Sequence, residues 1–191
     1  MNETPQFSVI RHNHTQLEIH FSKALDNATL YWTRDRDIHT AERNLITDRI
    51  SGPVYFDDPL QARQRIYFIV EHAQSSWLFG ERTLPISGIN NFRDFGGYRG
   101  AGGKRVKWGL LYRSNHLYNL TPQAQAYLEG LEVKTIIDYR SANEIAKSPN
   151  GFIGENKTFH LDATAQTAEL AAQFAAEPSN EDRALIESVI R

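Results

Sequence analysis

At 191 residues, with 40% hydrophobic and 23% charged residues, the chain has a globular composition and suits one large domain or two small ones. A formal net charge of −2 and a pI near 6.4 give no overall electrostatic footprint for nucleic acid or an anionic membrane. The absence of cysteine excludes disulfides, thiolate metal sites and thiol catalysis by the chain's own residues.

Residues 1–5 lack the basic and apolar regions of a signal peptide, and no apolar run approaches membrane-spanning length. A cytoplasmic chain without stable membrane insertion is therefore expected. His12 and His14 have no third ligand spaced to join them, so no metal site is expected.

Residues 7–10 open a series of short strands. In Gln16–Phe21, Leu17, Ile19 and Phe21 alternate onto one face, and residues 28–33 place Leu30 with Trp32. Residues 54–56 are bounded by Gly52-Pro53 and by Asp57-Asp58-Pro59. Residues 65–71 put Ile66, Phe68 and Val70 on one side, and residues 76–79 follow a turn at Gln74-Ser75. Six short strands at this spacing suit an all-β sandwich of immunoglobulin or fibronectin-III type over residues 1–84. Residues 40–46 fit a loop or a short helix.

The pattern changes at Leu84-Pro85-Ile86. Thr121-Pro122 is a helix start, with Gly130 as the expected stop. Residues 134–139 read as a strand, Ser141 and Glu144 have capping-box spacing, and residues 158–161 read as a further strand. Helices are expected over 163–177 and 179–191. The order strand–helix–strand–helix suggests a parallel α/β unit.

Three motifs stand in this second part. The first is Asn91-Phe92-Arg93-Asp94-Phe95-Gly96-Gly97-Tyr98, the second Tyr112-Arg113-Ser114, and the third Asp138-Tyr139-Arg140-Ser141 with Glu144. Two apolar runs thus each end in Arg-Ser, which delivers a guanidinium to the rim of a sheet, where α/β proteins usually place ligands. This ordered set resembles the bacterial tyrosine-phosphatase family that also includes dual-specificity and lipid phosphatases. That family's pattern runs N-F-R-D-L-G-G-Y, Y/F-R-S and D-L-R-S-x-x-E, and only Phe95 and Tyr139 depart from it.

The resemblance implies an α/β parallel-sheet phosphatase domain, no cofactor, and a phosphorylated protein or phospholipid substrate, with no role for nucleic acid. The family hydrolyses phosphotyrosine and, in some members, phosphoserine/threonine or phosphoinositides. Its nucleophile is a cysteine in a loop H-C-x-x-G-K-D-R, activated at a helix N-terminus, with an Arg and backbone N–H groups on the phosphoryl oxygens. That loop lies C-terminal to the D-L-R-S strand, and no counterpart occurs here. Residues 85–191 are accordingly expected to be the N-terminal part of such a domain. The chain alone is expected to be inactive, with no catalytic residue of its own and with a complementary C-terminal segment of the same protein as its partner.

The remaining candidates are supporting or pocket-lining residues. Arg93 and Asp94 either brace the phosphate loop or form an internal ion pair, and the flanking Phe92 and Phe95 favour burial. Arg113 and Arg140 fit a pocket lining or a structural salt bridge. Asp138 fits an auxiliary acid or an orienter of Arg140. Gly96-Gly97 fits a tight turn better than an anion cradle. In the first part Tyr31, Trp32, Tyr55, Tyr67, Phe68 and Trp77 form either core or a binding face, and strand aromatics are more often core. The rival readings are a catalytically silent β-sandwich binding module or pseudophosphatase, and a structural surface protein, against which the missing secretion signal counts.

Overall fold

Short runs of alternating apolar residues pair into antiparallel strands that build most of the described chain. The computed structural model describes residues 6–152 and 154–163. The predicted helices over 163–177 and 179–191 lie, but for Ala163, outside them. The strands are β1 (Phe7–Arg11), β2 (Gln16–Phe21), β3 (Thr29–Thr33), β4 (Asn44–Thr47), β5 (Val54–Asp57), β6 (Tyr67–His72) and β7 (Ser75–Gly80). They form a three-stranded sheet in the order β1-β2-β5 and a four-stranded sheet in the order β4-β3-β6-β7.

Both sheets feed one core. Leu17 and Ile19 of β2 cluster with Leu30 of β3, Phe68 and Val70 of β6 and Phe79 of β7, all essentially inaccessible. Aromatic pairs join the sheets: Phe7 stacks on Phe79 at 4.5 Å, and Phe56 meets Phe68 edge-on at 5.7 Å. Each such pair adds about 0.5–1.5 kcal/mol beyond its buried area. Phe68 therefore belongs to the core, whereas Tyr55 is exposed.

Two features differ from the sequence expectation. The segment 40–46, expected as a loop or a short helix, runs into strand β4 at Asn44, paired antiparallel with β3. Four residues, one of them an exposed Leu45, leave too short a period to read, and pairing with β3 supplies the order. Strand β6 was expected to bury one side only, yet Tyr67, Phe68, Ile69 and Val70 are all buried. Ile66, Phe68 and Val70 face the common core, while the Tyr67 hydroxyl packs against Gly109, far along the chain.

Beyond the two sheets, β8 (Arg93–Asp94) pairs antiparallel with β9 (Tyr112–Arg113). Helix α1 (Pro122–Gly130) starts as read: the Thr121 hydroxyl accepts from the Ala124 N–H, and Pro122 is the first helical residue. It runs through Gly130, and the left-handed residue that follows is Glu132 at φ 54°. These elements share one compact unit with the two sheets, formed by Met1–Val133 with Gly151–Gly154.

The second unit contains Lys134–Asn150 and the chain from Glu155. There β10 (Thr135–Asp138) leads through helix α2 (Ala142–Lys147) to β11 (Lys157–His160), which pairs with it in parallel. A full capping box starts α2. The Ser141 hydroxyl accepts from the Glu144 N–H, and the Glu144 carboxylate accepts from the Ser141 N–H. Ile137, Tyr139, Phe159 and Leu161 stay about half exposed on this pair.

Candidate functional site

Strand β8 sets two adjacent residues in opposite environments, as strand geometry requires. Asp94 is completely buried and Arg93 is exposed. The Asp94 carboxylate accepts from the Gly96 N–H at 2.7 Å, the Gly109 N–H at 2.9 Å and Arg65 Nη2 at 3.2 Å. Three donors converging on one buried carboxylate close the turn after β8 and hold the returning strand to it. Asp94 is thus a positioning group, satisfied within the protein.

Arg65 lies just before β6, with 4% of its side chain accessible. Its Nη2 also donates to the Glu81 carbonyl at 2.8 Å, and its guanidinium sits 4.9 Å from the Tyr67 ring centroid. Burial disfavours the Arg65 cation, but the surrounding Tyr127, Tyr67, Asp94 and Glu81 outweigh it and raise its pKa. Glu81 carries a second buried pair, because Arg11 donates to both its carboxylate oxygens at 2.8 and 2.9 Å. Arg11 also reaches Asp58 at 2.9 Å. A polar chain of Asp58, Arg11, Glu81, Arg65 and Asp94 therefore runs from the three-stranded sheet to β8.

The turn after β8 is built around Trp108. A Cβ on Gly96 would collide with the indole, and one on Gly97, at φ 79°, would approach it to 2.9 Å. The Gly96-Gly97 pair is thus a tight turn that admits an aromatic ring. Arg82 donates to the Asp94 carbonyl at 2.6 Å. Its guanidinium centre lies 4.1 Å from the Tyr98 ring and 4.7 Å from the Trp108 ring.

Arg93 and Arg113 are direct cross-strand partners in β8 and β9, and both are exposed. Like charges in this position repel. Neither guanidinium has an ion pair or hydrogen bond among the described residues. The pair presents two free forks on one rim, suited to a carboxylate or phosphate.

In the second unit Arg140 is tied to Asp138 by contacts of 2.6 to 3.1 Å and donates to the Ser148 carbonyl at 2.6 Å. Hydrogen bonds from Arg140 hold the Asp138 carboxyl below the usual range, against the opposing effect of burial. An ionised Asp138 orients Arg140 and has no proton to give a leaving oxygen near neutral pH.

Sequence reasoning did not single out Arg65, Glu81, Arg82, Arg11 or Trp108. The available signal was charge in apolar surroundings: Arg65 directly precedes Ile66-Tyr67-Phe68, and Glu81-Arg82 directly follows β7. Among the described residues, no group of three or more His, Asp or Glu is arranged to hold a metal. No described helix is long and apolar enough to cross a membrane.

Comparison with known proteins places these features in a family. The model described as Tyrosine phosphatase family matches residues 84–190, more than half of the chain. A Cupriavidus necator protein carrying the name Putative tyrosine-protein phosphatase is 40% identical over 70 residues, which is 37% of this chain. The match spans a quarter of that relative's length. The three ordered motifs and the family match agree: the chain belongs to the tyrosine phosphatase family.

Proposed function

We propose that this chain is the scaffold part of a cysteine-dependent phosphatase acting on phosphotyrosine, with phosphoserine/threonine and phosphoinositide monoesters as further candidate substrates. Family membership supports phosphate-ester hydrolysis. The observation that carries the role of these residues is the free Arg93–Arg113 pair beside a carboxylate, Asp94, wholly engaged in positioning. The two guanidiniums line the approach of a phosphorylated substrate, while Asp138 and Arg140 brace one another.

The sequence holds no cysteine, so the nucleophile comes from a complementary cysteine-bearing segment of the same protein. The half-exposed Ile137, Tyr139, Phe159 and Leu161 on a two-stranded parallel sheet support that reading, because parallel sheets are covered on both faces. Residues 1–84 form an immunoglobulin- or fibronectin-III-like sandwich, a reading supported by three strands facing four around one core. A cytoplasmic location belongs to the same proposal.

The test is turnover of p-nitrophenyl phosphate. The chain alone turns over no faster than buffer, and co-expression with a segment carrying H-C-x-x-G-K-D-R restores activity that R93A and R113A reduce chiefly through KM. A clear rate from the 191-residue chain, surviving repurification, refutes the assignment of the nucleophile. A co-expressed pair that binds yet stays inactive favours the catalytically silent module instead.

A further inference from the structure

The near-neutral charge of the whole chain hides a strong local segregation. Of its 21 basic and 23 acidic residues, six basic and one acidic lie between residues 93 and 113. The acidic one, Asp94, is buried and bound to Arg65. The six cations, Arg93, Arg99, Lys104, Arg105, Lys107 and Arg113, are all exposed. This stretch is a hairpin: Arg93 pairs with Arg113, Phe95 N–H donates to Leu111, Val106 N–H donates to Tyr98, and Arg99 bridges Arg105.

The cations do little for the fold. Two cross-strand positions oppose Arg to Arg, an arrangement that costs stability. Of the six side chains, that of Arg105 alone has a hydrogen bond among the described residues, donating to the Gly97 carbonyl at 2.7 Å. What holds the hairpin is different chemistry: the Asp94 contacts, the Trp108 ring on Gly96-Gly97, and Arg82 against Tyr98 and Trp108. The hairpin backbone is therefore held in place without the cations, whose charges stay available to a polyanion.

The same hairpin exposes apolar side chains. Leu110 and Leu111 are 57% and 55% accessible and adjacent in sequence. An acidic protein segment would be satisfied by the charges alone, and a nucleic-acid face would offer open aromatic platforms. Here the one exposed aromatic ring, Tyr98, is 54% accessible and has one face taken by Arg82, which leaves no run of successive stacking platforms on the hairpin. Exposed cations and exposed leucines on one hairpin match an anionic lipid surface, where headgroups pair with the cations and leucines enter the acyl boundary.

We propose that the hairpin between residues 93 and 113 is a peripheral docking element for an anionic membrane surface. This goes beyond phosphate-ester hydrolysis: Arg99, Lys104, Arg105 and Lys107 toward the hairpin tip are the docking cations, while Arg93 and Arg113 at its base keep the substrate approach.

The test is co-sedimentation of the full chain with vesicles of phosphatidylcholine alone or mixed with phosphatidylserine. Binding is expected only to the mixed vesicles and falls as salt rises. The triple variant R99Q/K104Q/K107Q, whose side chains have no hydrogen bond or ion pair among the described residues, is expected to lower the partition coefficient by about two orders of magnitude. L110S/L111S is expected to lower it separately, and an unchanged near-ultraviolet circular dichroism spectrum, to which Trp32, Trp77 and Trp108 all contribute, reports that each variant is folded. Equal binding to both vesicles, or full binding by the triple variant, overturns the proposal. Binding to immobilised polyglutamate without any vesicle binding also overturns it and assigns the hairpin to an acidic protein segment.

Discussion

Arg65 Nη2 stands 3.2 Å from Asp94 Oδ2, with side-chain accessibilities of 4% and 0%. The two residues are 29 positions apart, one before β6 and the other inside the first family motif. The carboxylate that organises the motif turn is thereby anchored to a cation from the preceding sheets. Of the motif residues, Phe92 and Asp94 are buried, Phe95 is half-buried and Arg93 faces solvent, so the partner of Asp94 is Arg65 and not its neighbour.

Removing the charge of Asp94 takes from that buried cation the one carboxylate it touches directly. D94N is expected to cost about 3–5 kcal/mol, measured by urea unfolding. Replacing both partners, as R65M/D94L, is expected to cost less than the sum of the single changes. Additive losses would show that the two groups do not interact.

Gly96 has no room for a methyl group beside Trp108. G96A is expected to destabilise the chain by about 1–3 kcal/mol and to change the Trp108 fluorescence. In a W108A background the same substitution should cost little, because the obstructing ring is gone. An equal cost in both backgrounds would place the strain elsewhere.

Asp138 predicts an acid-limb effect of known sign. Its folded carboxyl titrates below its unfolded one because Arg140 donates to it. The pair therefore stabilises the chain fully above the unfolded value of about 3.9, and loses that stabilisation as pH falls through the folded value. Thermal melts of the natural chain and D138N should differ at pH 6 and converge in strong acid. A constant difference across that range would separate Asp138 from the acid response.

Residues 1–84 expressed alone are expected to show a β-type circular dichroism spectrum and one cooperative melt. They would lack Asp94 for Arg65 and Gly109 against Tyr67. Their Tm is therefore expected to lie below that of residues 1–133, by about 4–8 °C for each kcal/mol of lost contact. A random-coil spectrum would disprove the boundary, and equal melts would show that the hairpin lends the sheets nothing.

The sequence by itself determined the locally encoded features. Alternation marks β2 without error, Thr121-Pro122 starts α1, and Ser141 with Glu144 forms the capping box it spells. Each depends on residues within one turn or one strand, where propensity and hydrogen-bonding reach are decided by neighbours. The ordered motifs likewise read as a family, because they are short strings. Only the tertiary structure decided that residues 44–47 become a strand, that β6 is buried on both faces, and that Arg65, not Arg93, holds Asp94. The juxtaposition of Arg93 with Arg113 belongs there too. These outcomes depend on which strands pair and which surfaces meet across long sequence separations, and burial then selects the partner that neutralises a charge most completely.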